Sequence, residues 1–377
     1  MPWNTVSAMS LRKEFVMLAL AEGGNRRQLC RRFGISPKTG YKWLHRYQSE
    51  GPGGLQARSR RPHHSPQCTD VVIAQRTIAL RRDHPDWGGR KLHRRLLDLG
   101  HRDVPAPSTI TDILRRHGLL DPATAGQARD YQCFEHPYPN GLWQIDFKGH
   151  FALDHGRCHP LTVLDDHSRF NLALRACANE QGATVQAELT ATFRHYGLPE
   201  RMLMDNGAPW GHATHSRITP LTVWLMRLGI GVTHARPYHP QTLGKDERFH
   251  RTLKREVLRH AVFHHLEQCQ RRFDHWRAIY NLERPHEALA LDVPAQHYTP
   301  SRRTFPETPP PIEYGPGDTV RKVQAQGELF YHGHVYRIPK ALRGYPVTLR
   351  PTDHDGIVSV YFCHTQVADI DLRNPYK

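Results

Sequence analysis

The chain has 377 residues and a formal net charge of +16, from 52 lysines and arginines against 36 aspartates and glutamates. A domain usually takes ~100–200 residues, so the length predicts two to four domains. The hydrophobic fraction of 38% excludes a disordered chain. No run approaches the ~18 apolar residues of a membrane-spanning helix. The short apolar stretch at residues 15–21 lacks the cleavage signal of a secretory peptide.

The positive charge is concentrated in the first third of the chain. Residues 1–137 hold 23 lysines and arginines against 12 acidic residues, a net charge of +11, whereas residues 138–377 hold 29 against 24, a net of +5. A basic region of this kind indicates a polyanionic partner, usually nucleic acid. A protein that is merely basic is the alternative that charge alone leaves open.

The seven cysteines and 28 histidines show no disulfide or metal-binding pattern. The cysteine count is odd, the spacings are wide and the sequence contains no C-x-x-C pair. This argues against a disulfide framework or a cysteine-based zinc finger and fits a reducing cytoplasm. The histidines are scattered, and we expect most of them to be ordinary surface or core residues.

Residues 1–50 are predicted to form a helical domain of three short helices. Asn25 is placed to cap the second helix, after two glycines that end the first. Ser36 is a favourable N-cap for the third helix, and Pro37 takes its first position, where the missing N–H group costs no hydrogen bond. The sequence therefore predicts a compact three-helix domain.

The third helix of this domain carries a basic stripe. At about 100° per residue one face groups Lys38, Thr39, Lys42 and Arg46. The segment QLCRRFGISPKTGYKWLHRY resembles the helix-turn-helix of transposases and bacterial regulators, and it departs from that motif at Gly40, where an apolar residue is usual and the glycine weakens the helix. That resemblance implies that the stripe faces the major groove of DNA. An ordinary helical bundle with a solvated face is the alternative.

Residues 51–68 are a basic linker rich in glycine and proline. Its arginines Arg58, Arg60 and Arg61 are either an extended arm along the minor groove or a solvated tether. The sequence does not decide between these two interpretations.

A second helix-turn-helix domain is predicted over residues 69–120. Thr69 is expected to cap its first helix and Ser108 its third. The leucines of its middle helix have core spacing, at Leu92, Leu96 and Leu99. Two such domains in tandem suggest recognition of a longer DNA site.

Residues 138–300 change character and predict a mixed-sheet α/β domain. Residues 121–137 before it and the proline-rich residues 301–316 after it are predicted linkers. The predicted elements are strands at 142–147, 151–153, 160–164, 201–204 and 231–234, and helices at 183–196, 221–228, 244–260 and 266–282. Residues 317–377 show short β-like runs between turns, which predict a small β-barrel-like module. The fold class is therefore multidomain, α and α/β.

Three carboxylates of the α/β domain stand where the predicted elements would hold them rigidly. Asp146 ends a predicted strand, Asp205 follows another, and Glu247 lies on a predicted helix. Carboxylate oxygens suit Mg²⁺ or Mn²⁺. Two such ions a few ångströms apart can activate an attacking oxygen and stabilise a leaving oxygen in phosphoryl transfer. Spacing alone is weak evidence, because a chain of this length contains many acidic triples.

Five ordered segments make this acidic triple specific. They are WQIDFKG, LTVLDDHSRF, LMDNGAPW, LGIGVTHARPYHPQTLGKDERFHRTLKREV and YNLERPHEAL. Together they resemble the integrase core of D-D-E insertion-sequence transposases, whose ribonuclease-H-like fold is shared with retroviral integrases. The resemblance implies that Asp146, Asp205 and Glu247 are the catalytic and metal-binding residues. It also implies two Mg²⁺ or Mn²⁺ ions per active site.

Helix geometry orders the other candidates around Glu247. With Glu247 at 0°, Arg251 falls at about 40° and Lys254 at about −20°, so both share its face. The resemblance implies that these two cations contact DNA phosphate beside the metal ions. An exposed salt-bridged face is the alternative. Glu256, at about 180°, faces away, and Asp246, at about −100°, is the weaker rival for the third carboxylate.

Two features depart from retroviral integrases. Forty-one residues separate Asp205 from Glu247, and the additional length is expected in residues 209–220, as a loop near the active site. The amino-terminal His/Cys zinc motif is absent, so the resemblance is to bacterial insertion elements. Trp210 in that loop either stacks on a base or holds the loop, and Asp165 is expected to be a turn residue.

The resemblance implies a DNA transposase that binds double-stranded DNA at the terminal inverted repeats of an element. Water is expected to cleave the 3′ end of the element, and the freed 3′-OH to attack target DNA. Joining two ends requires at least a dimer on DNA, with no membrane involved, in the bacterial cytoplasm and associated with the nucleoid. The alternatives are a DNA-binding regulator that has lost catalysis and a ribonuclease-H-like nuclease that cuts without joining.

Overall fold

The structure, a computed structural model, describes residues 7–59, 68–120, 135–211, 217–235 and 244–374. The chain divides into two compact units, Met1–Cys68 and Thr69–Lys377. Within the described segments, no helix is long and apolar enough to span a membrane.

The first unit is a bundle of three helices. They are α1 (Ala8–Leu20), α2 (Arg26–Arg32) and α3 (Pro37–Glu50), followed by a 3₁₀ turn over Gly51–Leu55. Both predicted caps are confirmed, because the Asn25 and Ser36 side chains accept hydrogen bonds from backbone N–H groups three residues further on. Apolar side chains of all three helices form its core, including Phe15, Val16, Cys30 and Leu44.

Gly40 is buried where α3 packs against the other two helices. A Cβ atom at this position would lie 2.6 Å from Cys30 Sγ and 2.8 Å from Phe15 Cζ. Contacts this short do not occur between real side chains without a shift of their surroundings. The glycine that interrupts the apolar pattern of α3 therefore permits close packing of the helices.

Gly40→Ala is expected to destabilise the first unit by about 1–3 kcal/mol, because the added methyl group overpacks its core. Helix propensity alone predicts the opposite, a gain of up to ~1 kcal/mol. Hydrogen exchange of the α3 amides in the full chain measures the free energy of opening and decides between the two. Gly53→Ala is the control, since a Cβ atom there meets nothing within 4 Å. Slower exchange in Gly40→Ala than in the wild type would contradict the packing argument.

The second unit begins with three more helices, α4 (Val71–Asp83), α5 (Gly89–Asp98) and α6 (Pro107–Arg116). The two predicted caps are wrong. Asp70, and not Thr69, caps α4, because its side chain accepts a 2.7 Å hydrogen bond from the backbone N–H group two residues further on. Ala106 is the N-cap of α6 and makes no side-chain hydrogen bond, so Ser108 lies inside the first turn.

The core of these three helices is smaller than the leucine spacing predicts. Leu92 and Leu96 are fully buried beside Trp87, but Leu99 lies just beyond the end of α5 and is 48% exposed. Ile279 from later in the chain packs against the same core. Three ion pairs add to this contact: Arg94 with Asp292, Arg255 with Asp86, and Arg95 with Glu283. The second helical group is therefore held firmly within the larger unit.

A mixed sheet forms the centre of the larger unit. Its strands are β1 (Leu142–Phe147), β2 (Phe151–Ala152), β3 (Arg157–Asp165), β4 (Asn171–Cys177), β5 (Arg201–Met204) and β6 (Gly231–His234). The order is β4–β3–β1–β5–β6, with β2 beside β3. β1 is antiparallel to β3 and parallel to β5. The sequence pattern does not predict β4, because its mostly buried residues do not alternate between apolar and polar.

Helices cover both faces of this sheet. They are α7 (Gly182–Tyr196), α8 (Pro220–Arg227), α9 (Gly244–Glu256) and α10 (Leu266–Leu282). One apolar core joins the sheet to α7 and α8 through Val185, Phe193 and Leu225, and another joins it to α9 and α10 through Phe249, Leu253 and Phe273. The predicted α/β architecture is confirmed. α9 is shorter than the predicted helix, because it ends at Glu256 and a separate 3₁₀ turn follows.

The C-terminal module is rich in strands. They are β7 (Thr319–Lys322), β8 (Glu328–Tyr331), β9 (His334–Arg337), β10 (Pro346–Pro351), β11 (Ile357–Phe362) and β12 (Thr365–Asp371). Four form an open antiparallel sheet in the order β12–β11–β10–β7, and β8 and β9 form a hairpin. The all-β prediction is confirmed, but no closed barrel forms among the described strands of this module. Its core extends to Val223 and Met226 of α8.

Candidate active site

Two aspartates lie at the same edge of the central sheet. Asp146 is the penultimate residue of β1, and Asp205 immediately follows β5. The two strands are parallel, and their register pairs Gln144 with Leu203. Asp146 and Asp205 each come two residues after this pair, so they lie side by side. The sequence prediction that strand ends hold these carboxylates is consistent with this arrangement.

The environment of the Asp146 carboxylate disfavours an uncompensated negative charge. Its burial and, next, the charge of Asp205 raise the pKa of Asp146 to about 7. The Phe147 N–H group, which donates a 2.8 Å hydrogen bond to Asp146 Oδ1, opposes this shift. Two carboxylates this close repel each other, and a divalent cation between them removes the repulsion. The residues present therefore fit Mg²⁺ or Mn²⁺, which prefer carboxylate oxygen ligands.

Hydrogen bonds hold both the carboxylate and the backbone carbonyl group of Asp205, at the start of the loop after β5. The Gly207 N–H group donates to Asp205 Oδ1 at 2.8 Å, and His234 Nδ1 donates to the Asp205 carbonyl oxygen at 2.8 Å. The Asn206 side chain donates to the Ala235 carbonyl oxygen, also at 2.8 Å. These bonds tie the loop to the neighbouring strand β6, so the Asp205 carboxylate is held in a defined position.

Glu247 is exposed in the first turn of α9. Arg251 and Lys254 are exposed on the same helix, and Phe249 and Leu253 bury its other side, as helix geometry predicts. The segment that precedes α9 lies outside the described residues. The assignment of Glu247 as the third metal ligand therefore stays a prediction, based on the sequence motif.

The structure brings a different carboxylate of α9 against Asp146. Asp246 is fully buried, and its pKa is raised by that burial first and by the charge of Asp146 next. His250 lies between the two, with Nδ1 3.9 Å from Asp146 Oδ2 and Nε2 3.8 Å from Asp246 Oδ1. His250 was not among the predicted site residues, although at about −60° it falls next to the face of Glu247.

Glu256 is occupied by a structural ion pair. Arg284 Nε donates to its Oε1 at 3.0 Å, and Trp276 Nε1 donates to its Oε2 at 3.0 Å. Both members of the pair are buried, with side chains 8% and 7% exposed for Glu256 and Arg284. This agrees with the prediction that Glu256 faces away from the metal-binding side of α9.

Two residues that the sequence left open have structural roles. Trp210 is 2% exposed and packs against Phe147, with ring centroids 5.9 Å apart, so it anchors the start of its loop and is not free to stack on a base. Asp165 is buried and accepts hydrogen bonds from the Asn140 and Ser168 N–H groups at 2.7 and 2.8 Å. Asp165 is the last residue of β3, and its hydrogen bonds hold the turn that follows, in agreement with the packing role predicted for this strand-turn.

The predicted basic stripe of α3 is partly occupied by contacts within the first unit. Lys38 is exposed. Lys42 and Arg46 lie over the Trp43 ring, 4.7 and 5.2 Å from its centroid, and the Thr39 hydroxyl is 3.0 Å from that of the N-cap serine. The positive charges of Lys42 and Arg46 therefore lie around the Trp43 ring on one side of α3. That DNA binds to this side stays a prediction.

Other predicted residues lie at the surface or outside the described segments. Arg58 pairs with Glu50 at the surface of the first unit. The segments outside the described residues include Arg60 and Arg61 of the basic linker, residues 212–216 of the predicted loop at 209–220, and residues 236–243 before α9.

Family models match most of the chain in separate segments. Two integrase core domain models match residues 136–240 and 228–294. A helix-turn-helix domain model matches residues 11–63, and a homeodomain-like domain model matches residues 39–114. The C-terminal domain of IS481 family transposases matches residues 318–376.

Curated relatives come from insertion elements and retroviruses. The chain is 24% identical over 239 residues to an uncharacterized protein of insertion element IS476 from Xanthomonas euvesicatoria, which covers 62% of this chain and 67% of that protein. It is 25% identical over 248 residues to an uncharacterized protein of insertion element IS407 from Burkholderia multivorans, covering 63% and 85%. A solved simian T-cell lymphotropic virus intasome in complex with a PP2A regulatory subunit aligns with a TM-score of 0.38 at 16% identity, over 78% of this chain and 99% of that one.

The matches to integrase core and helix-turn-helix models indicate that the chain is built from the domains of D-D-E transposases and integrases. Its C-terminal segment matches the C-terminal domain of IS481 family transposases, and its curated relatives include proteins of insertion elements. Its helix-turn-helix domains imply DNA binding, and its core implies dependence on a divalent metal ion.

Proposed function

We propose that this transposase cleaves the 3′ ends of its insertion element and joins them to target DNA, with Asp146, Asp205 and Glu247 as the catalytic, metal-binding residues. The observation that carries the proposal is the position of Asp146 and Asp205 at the adjacent ends of two parallel strands. Burial and, next, the charge of Asp205 raise the pKa of Asp146, so a negative charge there is unfavourable without a cation. A bound cation would stabilise the two carboxylates.

The residues of the chain have separable parts in this reaction. When bound, two Mg²⁺ or Mn²⁺ ions supply activation of the attacking oxygen and stabilisation of the leaving oxygen. Asp146 and Asp205 offer oxygen ligands from a rigid sheet edge, and Glu247 offers a third from α9. Arg251 and Lys254 hold the DNA backbone, so that the scissile phosphodiester is oriented beside the carboxylates.

DNA recognition belongs to the N-terminal third in this proposal. The domains at residues 1–50 and 69–120 bind the terminal inverted repeats, and the catalytic domain occupies residues 138–300. The DNA-contacting side chains before the catalytic domain are Lys38, Thr39, Lys42, Arg46, Arg58, Arg60 and Arg61. Two element ends have to be joined together, so at least two copies assemble on DNA, in the cytoplasm and with the nucleoid.

The inverted repeats that flank the gene supply the substrate for the test. Labelled duplexes that carry these repeats are incubated with the full chain, with Mg²⁺ and with a chelator in its place. Metal-dependent nicking at the 3′ end of the repeat, followed by joining to a second duplex, supports the proposal. Binding without nicking would identify a regulator, and nicking without joining would identify a nuclease.

Lys254→Ala is expected to weaken binding of repeat DNA and to reduce the slope of log K against log[salt] by about 0.9, because one phosphate contact is lost. Fluorescence anisotropy over a series of salt concentrations measures both quantities. Arg271→Ala is the matched control, because Arg271 is an exposed arginine of α10 that pairs with Glu267 one turn away. An unchanged slope in Lys254→Ala would exclude a phosphate contact at this position.

A further inference from the structure

Asp246 is a buried carboxylate with too few hydrogen-bond donors. It is 0% exposed, and its hydrogen-bond donor among the described residues is the Thr162 hydroxyl, 3.2 Å from Oδ1. The same hydroxyl lies 3.0 Å from the Asp146 carbonyl oxygen and 2.9 Å from His250 Nε2. A hydroxyl has one proton, so it cannot donate to all three neighbours at once.

The charged groups around Asp246 do not compensate the negative charge of its carboxylate. Asp146 and Glu247 both act on it with negative charge. Among the described residues, the cationic group that approaches the Asp246 carboxylate within ion-pair distance is a histidine, His250. A buried carboxylate beside a second carboxylate is unfavourable unless a cation joins them.

The three side chains have the spacing of a ligand set. One candidate ligand atom from each of Asp146, Asp246 and His250 lies within 4.8 Å of the other two. The imidazole places Nδ1 3.9 Å from Asp146 Oδ2 and Nε2 3.8 Å from Asp246 Oδ1. Either nitrogen can therefore bind the same metal ion as the neighbouring aspartate. A set of two carboxylates and one imidazole suits Mn²⁺ better than Mg²⁺, because Mg²⁺ favours ligand sets made of oxygen alone.

We propose that Asp246 and His250 are additional ligands of the divalent ion bound by Asp146, so that the site contains four carboxylates and one imidazole and prefers Mn²⁺ to Mg²⁺. The inference rests on the proposed function, because it assumes that Asp146 is a metal ligand of a phosphoryl-transfer site. It extends that function by naming ligands that the D-D-E motif does not include. It also makes a prediction that can be observed without any reaction.

The test is spectroscopy of Mn²⁺ bound to the full-length protein in the absence of DNA. Electron spin-echo envelope modulation of the bound Mn²⁺ is expected to contain the signature of a coordinated imidazole nitrogen. His250→Asn should abolish that signature. Asp246→Asn, which keeps the shape of the side chain, should raise the Kd for Mn²⁺ at least tenfold. Circular dichroism confirms that both variants are folded.

Matched measurements separate a metal ligand from a residue that only packs. His264→Asn is the control, because His264 is an exposed histidine that pairs with Asp154 and has no part in the proposed site. It should keep the nitrogen signature. A wild-type protein that binds Mn²⁺ without a nitrogen signature overturns the proposal, even if the variants fail to fold. An unchanged Kd in a folded Asp246→Asn protein also overturns it and identifies Asp246 as a neutral buried acid.

Failure of the proposed function has a different outcome. A protein that shows nitrogen-coordinated Mn²⁺ but neither cleaves nor joins repeat DNA retains the ligand assignment and loses the assigned reaction. A protein that cleaves and joins DNA but shows no nitrogen coordination retains the reaction and loses the additional ligands.

Discussion

Asp205→Asn is expected to bind repeat DNA with wild-type affinity and to lose cleavage and joining by at least about a thousandfold. The substitution preserves the size of the side chain and removes the charge that makes it a metal ligand. Metal-ion stabilisation of transition-state charge contributes several kcal/mol, and ~4 kcal/mol corresponds to about three powers of ten in rate. Single-turnover cleavage and strand-transfer assays, together with a binding titration, measure the two effects separately.

Glu267→Gln is the matched control for this experiment. Glu267 is an exposed carboxylate of α10 whose side chain is 77% accessible and which pairs with Arg271. Its neutralisation should leave binding, cleavage and joining unchanged. Retained strand transfer in Asp205→Asn would rule out Asp205 as a metal ligand and, with it, the assigned acidic triad.

Glu256→Ala is expected to lower the free energy of unfolding of the larger unit by about 3–5 kcal/mol, because it leaves the buried Arg284 guanidinium without its partner. Trp276 loses its hydrogen-bond acceptor in the same substitution. Denaturant unfolding of the full chain, followed by circular dichroism, measures the loss. The same experiment tests whether Glu256 stabilises the fold and does not bind a metal ion.

A double variant, Glu256→Met with Arg284→Met, separates the two roles. Replacing a buried ion pair by apolar residues of similar volume is often neutral or stabilising. The double variant should therefore recover most of the stability lost in Glu256→Ala, and it should cleave repeat DNA. A folded double variant without cleavage activity would contradict the structural role and make Glu256 a candidate ligand.

The placement of Asp146 and Asp205 at strand ends could be predicted because it depends on local patterns, whereas their assignment as metal ligands came from the resemblance to the integrase core. Asp146 and Asp205 each end a short apolar strand, and parallel strands bring such ends to one edge of a sheet. Helical periodicity separated the face of Glu247 from that of Glu256, and the structure confirms that Glu256 points into a buried ion pair. Such patterns repeat within a few residues, and they are readable without knowledge of the rest of the chain.

Other elements could not be predicted, because they depend on what packs against them. β4 was missed since burial on both faces removes the alternation that marks a strand. Asp70 caps α4 in place of its neighbour because the helix begins one residue later than the pattern suggests. The sequence predicts that Gly40 weakens α3, and only the positions of Phe15 and Cys30 show that a larger residue would not fit there. In each case the deciding partner is distant in sequence or the choice is between adjacent residues.

The sequence alone determined the basic first third, through its composition. It also assigned the helix-turn-helix and the carboxylates of the D-D-E motif, but only through the resemblance of ordered segments to a known family. Only the tertiary structure decided that Asp246, which helix geometry ranks below Glu247, is the carboxylate of α9 buried against Asp146. A helical angle gives the direction of a side chain, but not the surface that meets it. Thr162 and Asp146 meet Asp246 from strands that lie 84 or more residues earlier in the chain.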